Sequence, residues 1–210
     1  MPRLGYERFG VQGGDWGAFV ASRLAAQHPD RVLGIHLNLL ALRRDPRLPA
    51  TTPEEAAYLA RLRKWLKEET GYQWIQGTKP QTLAYALTDS PAGLAAWIAE
   101  KFRSWADEPV DRDAMLANIS LYWFSGAIGS SFWPYHARAH RGWPFEQVGV
   151  PTGYAEFPKE LLRPPRSLAE KTYTNLRRWT VMEKGGHFAA LEQPRPLAAE
   201  IRAFFGRPAR

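Results

Sequence analysis

The chain has 210 residues, 45% of them hydrophobic, which is enough to bury a sizeable core and excludes a fibrous or wholly disordered protein. Its net charge of +7 comes from scattered basic residues, and the one dense cluster, "RLRKWLK", has helical spacing, which favours a solvated helix face over a nucleic-acid surface. The absence of cysteine excludes disulfides and thiolate metal sites. The N-terminal "MPRLGYERFG" contains no apolar run of signal-peptide or membrane-spanning length, so we expect a cytoplasmic protein with neither a membrane nor a nucleic acid as partner.

The first predicted elements are a strand, a turn, a helix and a second strand. "FGVQ" and "VLGIHLN" are short apolar runs typical of strands. Between them, "GGDWG" is a glycine-rich turn, and "AFVASRLAAQHP" has apolar residues at helical spacing. This order predicts a βαβ unit with parallel strands and a right-handed crossover.

From residue 41 to residue 145 the pattern becomes helical and aromatic. Three separate helices are predicted, broken by Pro, Gly and Asp-Ser-Pro, in "PEEAAYLARLRKWLKEETGY", "SPAGLAAWIAEKFRSWAD" and "DRDAMLANISLYWFSGAI". Strand and helix patterns return at "VGVPTGYAEFP", "RWTVMEKGGHF" and "QPRPLAAEIRAFFG". We therefore predict an α/β fold in which residues 1–40 and 146–210 form the core and residues 41–145 form an inserted helical cap.

The spacing Gly13-x-Asp15-x-Gly17 between a strand and a helix is that of a nucleophile elbow, a sharp turn flanked by small residues. The same residues also fit a glycine-rich turn in which the aspartate caps the helix. The chain order favours the elbow, because His187 follows a predicted strand in "KGGHFAALEQP" near the C-terminus. Nucleophile, cap, acid and histidine in this order are typical of a hydrolase built on an α/β sheet.

Four segments resemble the microsomal-type epoxide hydrolases of the α/β-hydrolase superfamily, and the resemblance covers nearly the whole chain. They are "GVQGGDWGAFVASRLAAQHPDRVLGIHLN", "GYQWIQGTKPQTLAYALTDSPAGLAAWIAEKFRSWAD", "VPTGYAEFPKEL" and "KGGHFAALEQP". The resemblance implies that Asp15 attacks an epoxide carbon to form an alkyl ester, which a water molecule then hydrolyses to release a diol. A carboxylate suits this attack because it is already charged at neutral pH and needs no base.

The resemblance also implies the partners of Asp15. His187 would activate the water, and Glu160 in "FPKEL" would hold the histidine tautomer, with Glu156 in "GYAEFP" as a second candidate and a surface role as the alternative for either. No metal or organic cofactor is called for by this chemistry.

Three further residues would donate hydrogen bonds to the negative charges that develop during the reaction. Tyr72 and Tyr135 match the two cap tyrosines that bind the epoxide oxygen in the family, while Tyr122 in "SLYWF" is the core-packing alternative to Tyr135. The backbone N–H of Trp16, directly after the nucleophile, is one expected donor to the oxyanion of ester hydrolysis. The aromatic cap favours an apolar epoxide as substrate.

The sequence departs from the family before Asp15, where no His-Gly-x-Pro motif supplies the second oxyanion donor. We therefore expect a partial α/β-hydrolase fold that contains the family's strands five to eight and the cap, without the N-terminal half of the core. A strand exposed at the sheet edge predicts poor solubility, self-association or pairing with a separate N-terminal half. We expect the chain alone to be inactive.

Two other functions fit parts of the sequence. A haloalkane dehalogenase also places Asp-Trp on an elbow, but the "GYQWIQGTKP" and "FPKEL" segments argue against it. A non-enzymatic remnant or interaction module of the same fold is the other alternative.

Overall fold

One parallel β-sheet forms the framework of the chain. The structure, a computed structural model, describes residues 1–42, 49–141 and 146–206. Within these ranges the sheet has the order β1 (Phe9–Gly13), β2 (Val32–Leu37), β3 (Thr152–Glu156) and β4 (Leu176–Val181), and each neighbouring pair is parallel. The parallel βαβ unit predicted from the sequence is present, and β1 lies at one edge of this sheet.

Helices connect the strands and make up most of the segment between β2 and β3. In the described residues they are α1 (Trp16–Gln27), α2 (Pro53–Glu68), α3 (Gly71–Thr78), α4 (Pro80–Asp89), α5 (Pro91–Trp105), α6 (Arg112–Ser125), α7 (Trp133–Arg141), α8 (Arg166–Ala169), α9 (Ala189–Glu192) and α10 (Pro194–Phe205). Short 3₁₀ turns occupy Pro2–Leu4 and Ser130–Phe132. None of the helices in these ranges has both the length and the apolar character needed to span a bilayer.

The three helices predicted between β2 and β3 correspond to α2, α5 and α6. Three more, α3, α4 and α7, were not predicted as separate helices. Pro80 stands at the start of α4, where its missing N–H and fixed φ are tolerated, and thereby separates α4 from α3. At the start of α6, the Asp111 side chain accepts a hydrogen bond from the Ala114 N–H at 2.9 Å and caps the helix.

The chain divides into two compact units. The first, Met1–Ala60 with Trp105–Glu108 and Phe145–Arg210, contains the sheet. The second, Arg61–Ser104 with Pro109–Pro144, is helical, and its core includes the fully buried Leu94 and Phe132. The cap boundaries at residues 41 and 145 stay a prediction, and residue 145 lies outside the described ranges.

Helix α10 packs on one face of the sheet through Phe204. A Cβ added to Gly153 on β3 would lie 2.7 Å from the Phe204 ring, so this strand position leaves room only for glycine. His36 on β2 is fully buried beside the same ring, 5.9 Å away between ring centroids. Burial lowers the pKa of His36 to about 4, against the opposing effect of Glu200. His36 is therefore neutral at physiological pH.

Candidate active site

Asp15 lies on a tight turn between β1 and α1. Its φ of 44° is positive, which among the described non-glycine residues occurs only here, and it marks a strained backbone. Gly13 ends β1, and a Cβ there would lie 2.4 Å from the Gly17 carbonyl, so the close approach of strand and helix requires glycine. Asp15 occupies the N-cap position of α1 but makes no side-chain capping bond to it. The turn presents the carboxylate outward, which is the geometry of an elbow and not that of a helix cap.

Asn38, just after β2, supports this turn. Its backbone N–H donates to the Gly13 carbonyl at 3.2 Å, and its side-chain oxygen accepts from Gln12 Nε2 at 2.9 Å. A Cβ added to Gly14 would lie 2.5 Å from Asn38 Nδ2. Asn38 therefore contacts the residues directly before Asp15 and leaves no room for a side chain at Gly14.

His187 lies in the loop between β4 and α9, with a carboxylate on either side of its ring. Its Nδ1 is 2.8 Å from Glu160 Oε1, and its Nε2 is 3.7 Å from Asp15 Oδ2. The His187 and Glu160 side chains are 4% and 0% exposed, whereas that of Asp15 is 50% exposed. Because an ionised carboxylate only accepts hydrogen bonds, Nδ1 donates to Glu160, and Nε2 faces Asp15. The structure thus brings together three residues that lie far apart in the sequence.

The two carboxylates control the charge of His187. Burial lowers the pKa of the imidazole, but Asp15 and Glu160 outweigh burial and raise the pKa to about 10. A pKa of about 10 makes His187 an imidazolium at neutral pH in this arrangement. Any event that removed the charge of Asp15 would lower the pKa of His187.

The second candidate for the acid, Glu156, lies at the end of β3 and has other partners. Its Oε2 accepts from Trp179 Nε1 at 2.9 Å, and its Oε1 lies 3.9 Å from Arg163 Nη1. Of the two glutamates, Glu160 is the one that contacts His187.

The two tyrosines predicted for the cap lie next to each other in the helical unit. Tyr72 on α3 and Tyr135 on α7 have ring centroids 5.8 Å apart in an edge-to-face arrangement. Gln73 Nε2 donates to the Tyr72 hydroxyl at 2.7 Å, and Lys101 Nζ lies 4.5 Å above the Tyr72 ring. Tyr122 packs against the core of the helical unit, in keeping with its core-packing interpretation.

Trp16 is the first residue of α1 and directly follows Asp15. The N-terminus of a helix carries a partial positive charge, which makes this position suited to an anionic oxygen.

A separate open cavity of about 770 Å³ lies at the amino ends of the strands, lined in part by Gly10, Leu33 and Pro151. Functional sites on parallel sheets form at the carboxyl ends of the strands, where Asp15 lies. No group of three potential metal ligands occurs among the described side chains.

Sequence reasoning missed the residues that fix the His187 loop. Trp105, Asp107 and Glu192 all make hydrogen bonds to residues 185–188. The segments "SWAD" and "LEQP" that contain them belong to the stretches that carry the resemblance, but nothing in their spacing indicates that they meet.

The parallel sheet, with Asp15 on the turn after β1 and His187 in the loop after β4, is typical of the α/β-hydrolase fold. Residues 1–138 match the alpha/beta hydrolase fold family, and the chain belongs to this family.

Within that family, the relatives confirm the resemblance to epoxide hydrolases. The chain is 38% identical to Epoxide hydrolase 1 of Sus scrofa, over 98% of this chain and 52% of that protein. The chain is 44% identical to a protein of Stigmatella aurantiaca that is provisionally named an epoxide hydrolase. The match covers 98% of this chain and 48% of that protein. The crystal structure of juvenile hormone epoxide hydrolase from the silkworm Bombyx mori superimposes with a TM-score of 0.86 at 34% identity, over 98% of this chain and 56% of that one. The chain therefore spans about half the length of the relatives it matches, consistent with a partial fold.

Proposed function

We propose that this chain carries the catalytic centre of an epoxide hydrolase, which opens an epoxide to a vicinal diol through an alkyl ester on Asp15. The observation that carries the proposal is the His187 imidazole between Asp15 and Glu160 on an α/β-hydrolase elbow. Relatives named epoxide hydrolases support the choice of substrate class.

In the first step, an Asp15 carboxylate oxygen attacks an epoxide carbon, and the bond from that carbon to the epoxide oxygen breaks. The oxygen leaves as an alkoxide that needs a proton. Tyr72 and Tyr135 donate to it, and a proton from one of them completes the hydroxyl. The close pairing of the two rings supports a shared task for these hydroxyls.

Esterification then changes the state of His187. Asp15 loses its charge in the ester, so one of the two groups that raise the pKa of His187 is gone. The imidazole releases its proton, which returns through solvent to the tyrosinate left by the first step, and His187 becomes a base only after the ester has formed. The nucleophile thereby switches on the base that the second step needs.

In the second step, His187 takes a proton from water as the water oxygen attacks the ester carbonyl carbon. The resulting oxyanion accepts a hydrogen bond from the Trp16 N–H. When the tetrahedral intermediate collapses, the diol oxygen leaves and receives the proton from His187. Glu160 holds the Nδ1–H throughout and stabilises the imidazolium.

Paired substitutions in the natural protein that contains residues 1–210 test this mechanism, with styrene oxide as the probe. Asp15→Asn should give neither diol nor a covalent adduct, because the amide is a poor nucleophile. His187→Gln should form the ester but not hydrolyse it, so mass spectrometry of the peptides should find the adduct on Asp15.

A matched control is Glu183→Gln, which alters an exposed carboxylate in the same loop region and should leave diol formation unchanged. Unchanged turnover by Asp15→Asn would remove the nucleophile from the mechanism. An His187→Gln protein without adduct would argue against the two-step route.

We further propose that residues 1–210 alone do not turn over an epoxide and depend on self-association or on a separate chain segment to complete the sheet. The position of β1 at the edge of the described sheet supports this proposal, because an unpaired strand edge is a template for pairing.

A further inference from the structure

Glu192 places its carboxylate beside the loop that holds His187. Its Oε1 accepts from the N–H groups of Gly186 and Phe188, each at 3.1 Å. Its Oε2 accepts from the N–H of Asp107 at 2.6 Å. Gly186 and Phe188 are the residues directly before and after His187, so one carboxylate fixes both flanking peptides.

Trp105–Glu108 forms the other side of this contact. The Trp105 carbonyl accepts from the His187 N–H at 2.9 Å, and Asp107 Oδ2 accepts from the Gly185 N–H at 2.9 Å. Together with the bonds to Glu192, the N–H groups of four consecutive residues, 185 to 188, all have acceptors. The fit is close, because a Cβ on Gly186 would lie 2.4 Å from the Trp105 carbonyl oxygen.

The side chain of Trp105 also confines the imidazole. Its ring meets that of His187 edge-on, with 5.2 Å between centroids and an interplanar angle of 82°. The same segment therefore contacts both the backbone and the ring of His187.

A carboxylate at this position could simply cap α9, since Glu192 lies four residues after Phe188 and closes the first turn. Capping alone does not explain the Glu192 bond to Asp107, which joins residues 85 apart in the sequence. The chain on both sides of Trp105–Glu108 belongs to the helical unit, whereas these four residues belong to the unit that contains the sheet. The contact therefore joins two segments that are distant in the sequence, and we call it the tie between residues 105–108 and the loop 185–188.

We propose that Glu192 is a positioning residue for His187, which ties residues 105–108 to the loop 185–188 and so holds the imidazole between Asp15 and Glu160. The value of this tie for catalysis rests on the proposed function, whereas the positioning itself does not depend on it.

Glu192→Gln in the chain of residues 1–210 provides the first test. The amide keeps one accepting oxygen and turns its NH₂ group toward backbone N–H groups, so bonds on that side are lost. Amide hydrogen exchange measured by NMR should become about tenfold faster or more at Gly186 and Phe188. The control Glu183→Gln should exchange at those sites as the wild type does.

The second measurement follows the His187 ring by NMR as pH is raised. Loosening the loop moves the imidazole away from its carboxylates, so Glu192→Gln should lower the pKa of His187 from about 10 by roughly one unit or more. A carboxylate that only capped α9 would lower the melting temperature and leave this titration unchanged. A folded Glu192→Gln protein with the wild-type His187 titration would overturn the proposal.

If Glu192→Gln does not fold, Glu192→Asp provides the second test. It keeps the charge but withdraws the carboxylate by one methylene from the N–H groups of Gly186, Phe188 and Asp107, so it should speed amide exchange at Gly186 and Phe188 and lower the pKa of His187. A Glu192→Asp protein with wild-type exchange and titration would overturn the tie. Failure of the natural protein to hydrolyse styrene oxide would contradict only the proposed function, because none of these NMR outcomes requires turnover.

Discussion

At the scale of single residues, Asp15 and His187 form a coupled pair whose charges depend on each other. Asp15 is held in a strained conformation with its carboxylate 3.7 Å from His187 Nε2. A buried imidazole would ordinarily be neutral, and it is charged here only because two carboxylates face it. The ground state is therefore an ion pair that the proposed ester formation would break.

This coupling predicts that Asp15→Asn lowers the pKa of His187. The substitution removes one of the two negative charges that lie within about 4 Å of the imidazole. We therefore expect the pKa of His187 to decrease by about 1–3. NMR titration of the ring measures it directly. A His187 pKa that stays near 10 in Asp15→Asn would mean that Glu160 alone sets it.

The same coupling makes the free energy of unfolding depend on pH. The folded pKa of His187 is raised, so its stabilising effect is complete below about pH 6.5 and is lost as pH rises through about 10. The free energy of unfolding of the wild type should therefore decrease over this range. In Asp15→Asn the decrease should be smaller and end at lower pH.

The sequence was sufficient to select Asp15 and His187 as candidates, because an elbow spacing and the order of aspartate and histidine are local or sequential signals, and the structure places the two side chains 3.7 Å apart. Choosing Glu160 over Glu156 needed the resemblance, since the two glutamates lie in the same segment and only the fold turns one of them toward His187. Glu192 could not be assigned a role, because its partner Asp107 is brought to it only by the tertiary fold.

At the scale of secondary structure elements, the sheet and α10 fit together through a glycine. Gly153 on β3 leaves the space that Phe204 occupies, and the ring in turn covers the buried His36. A strand glycine weakens intrinsic β preference but here permits close packing of a helix. The contact holds α10 against the face of the sheet that contains His36 and Gly153.

We predict that Gly153→Ala lowers the free energy of unfolding by about 1–3 kcal/mol, because the added methyl overlaps the Phe204 ring. Gly17→Ala is the matched control, since a Cβ there meets nothing within 4 Å and alanine favours the helix. Chemical denaturation of both variants provides the measurement. Equal stability of Gly153→Ala and the wild type would show that α10 shifts freely over the sheet.

Element types were easier to predict than element number. The strands around Asp15 and the helix α10 follow clear apolar periods, and the structure has them. The segment from residue 71 to residue 89 is two helices, α3 and α4, separated at Lys79, and short helices of this kind give too few turns for a clear period. The position of Tyr72 beside Tyr135 depends on how these helices pack and could not be deduced from spacing.

At the scale of the whole molecule, the chain combines a complete His187–Glu160–Asp15 arrangement with a sheet of four described strands. The relatives it matches are about twice its length. Under the proposed function, ester formation at Asp15 and ester hydrolysis are therefore separable steps. The first step of the proposed reaction needs the nucleophile and a proton donor, whereas ester hydrolysis also needs a full set of oxyanion donors.

This separation predicts that purified residues 1–210 produce no measurable diol from styrene oxide. The Trp16 N–H is the oxyanion donor that the sequence predicts in this chain, and loss of one such donor costs about 10²–10³ in rate. An assay of diol formation over a range of protein concentrations is the measurement, with light scattering on the same samples to follow association. Adding the N-terminal half of an epoxide hydrolase relative as a separate chain should restore turnover if it pairs with β1. Robust turnover by the monomeric chain would mean that residues 1–210 already contain the second oxyanion donor.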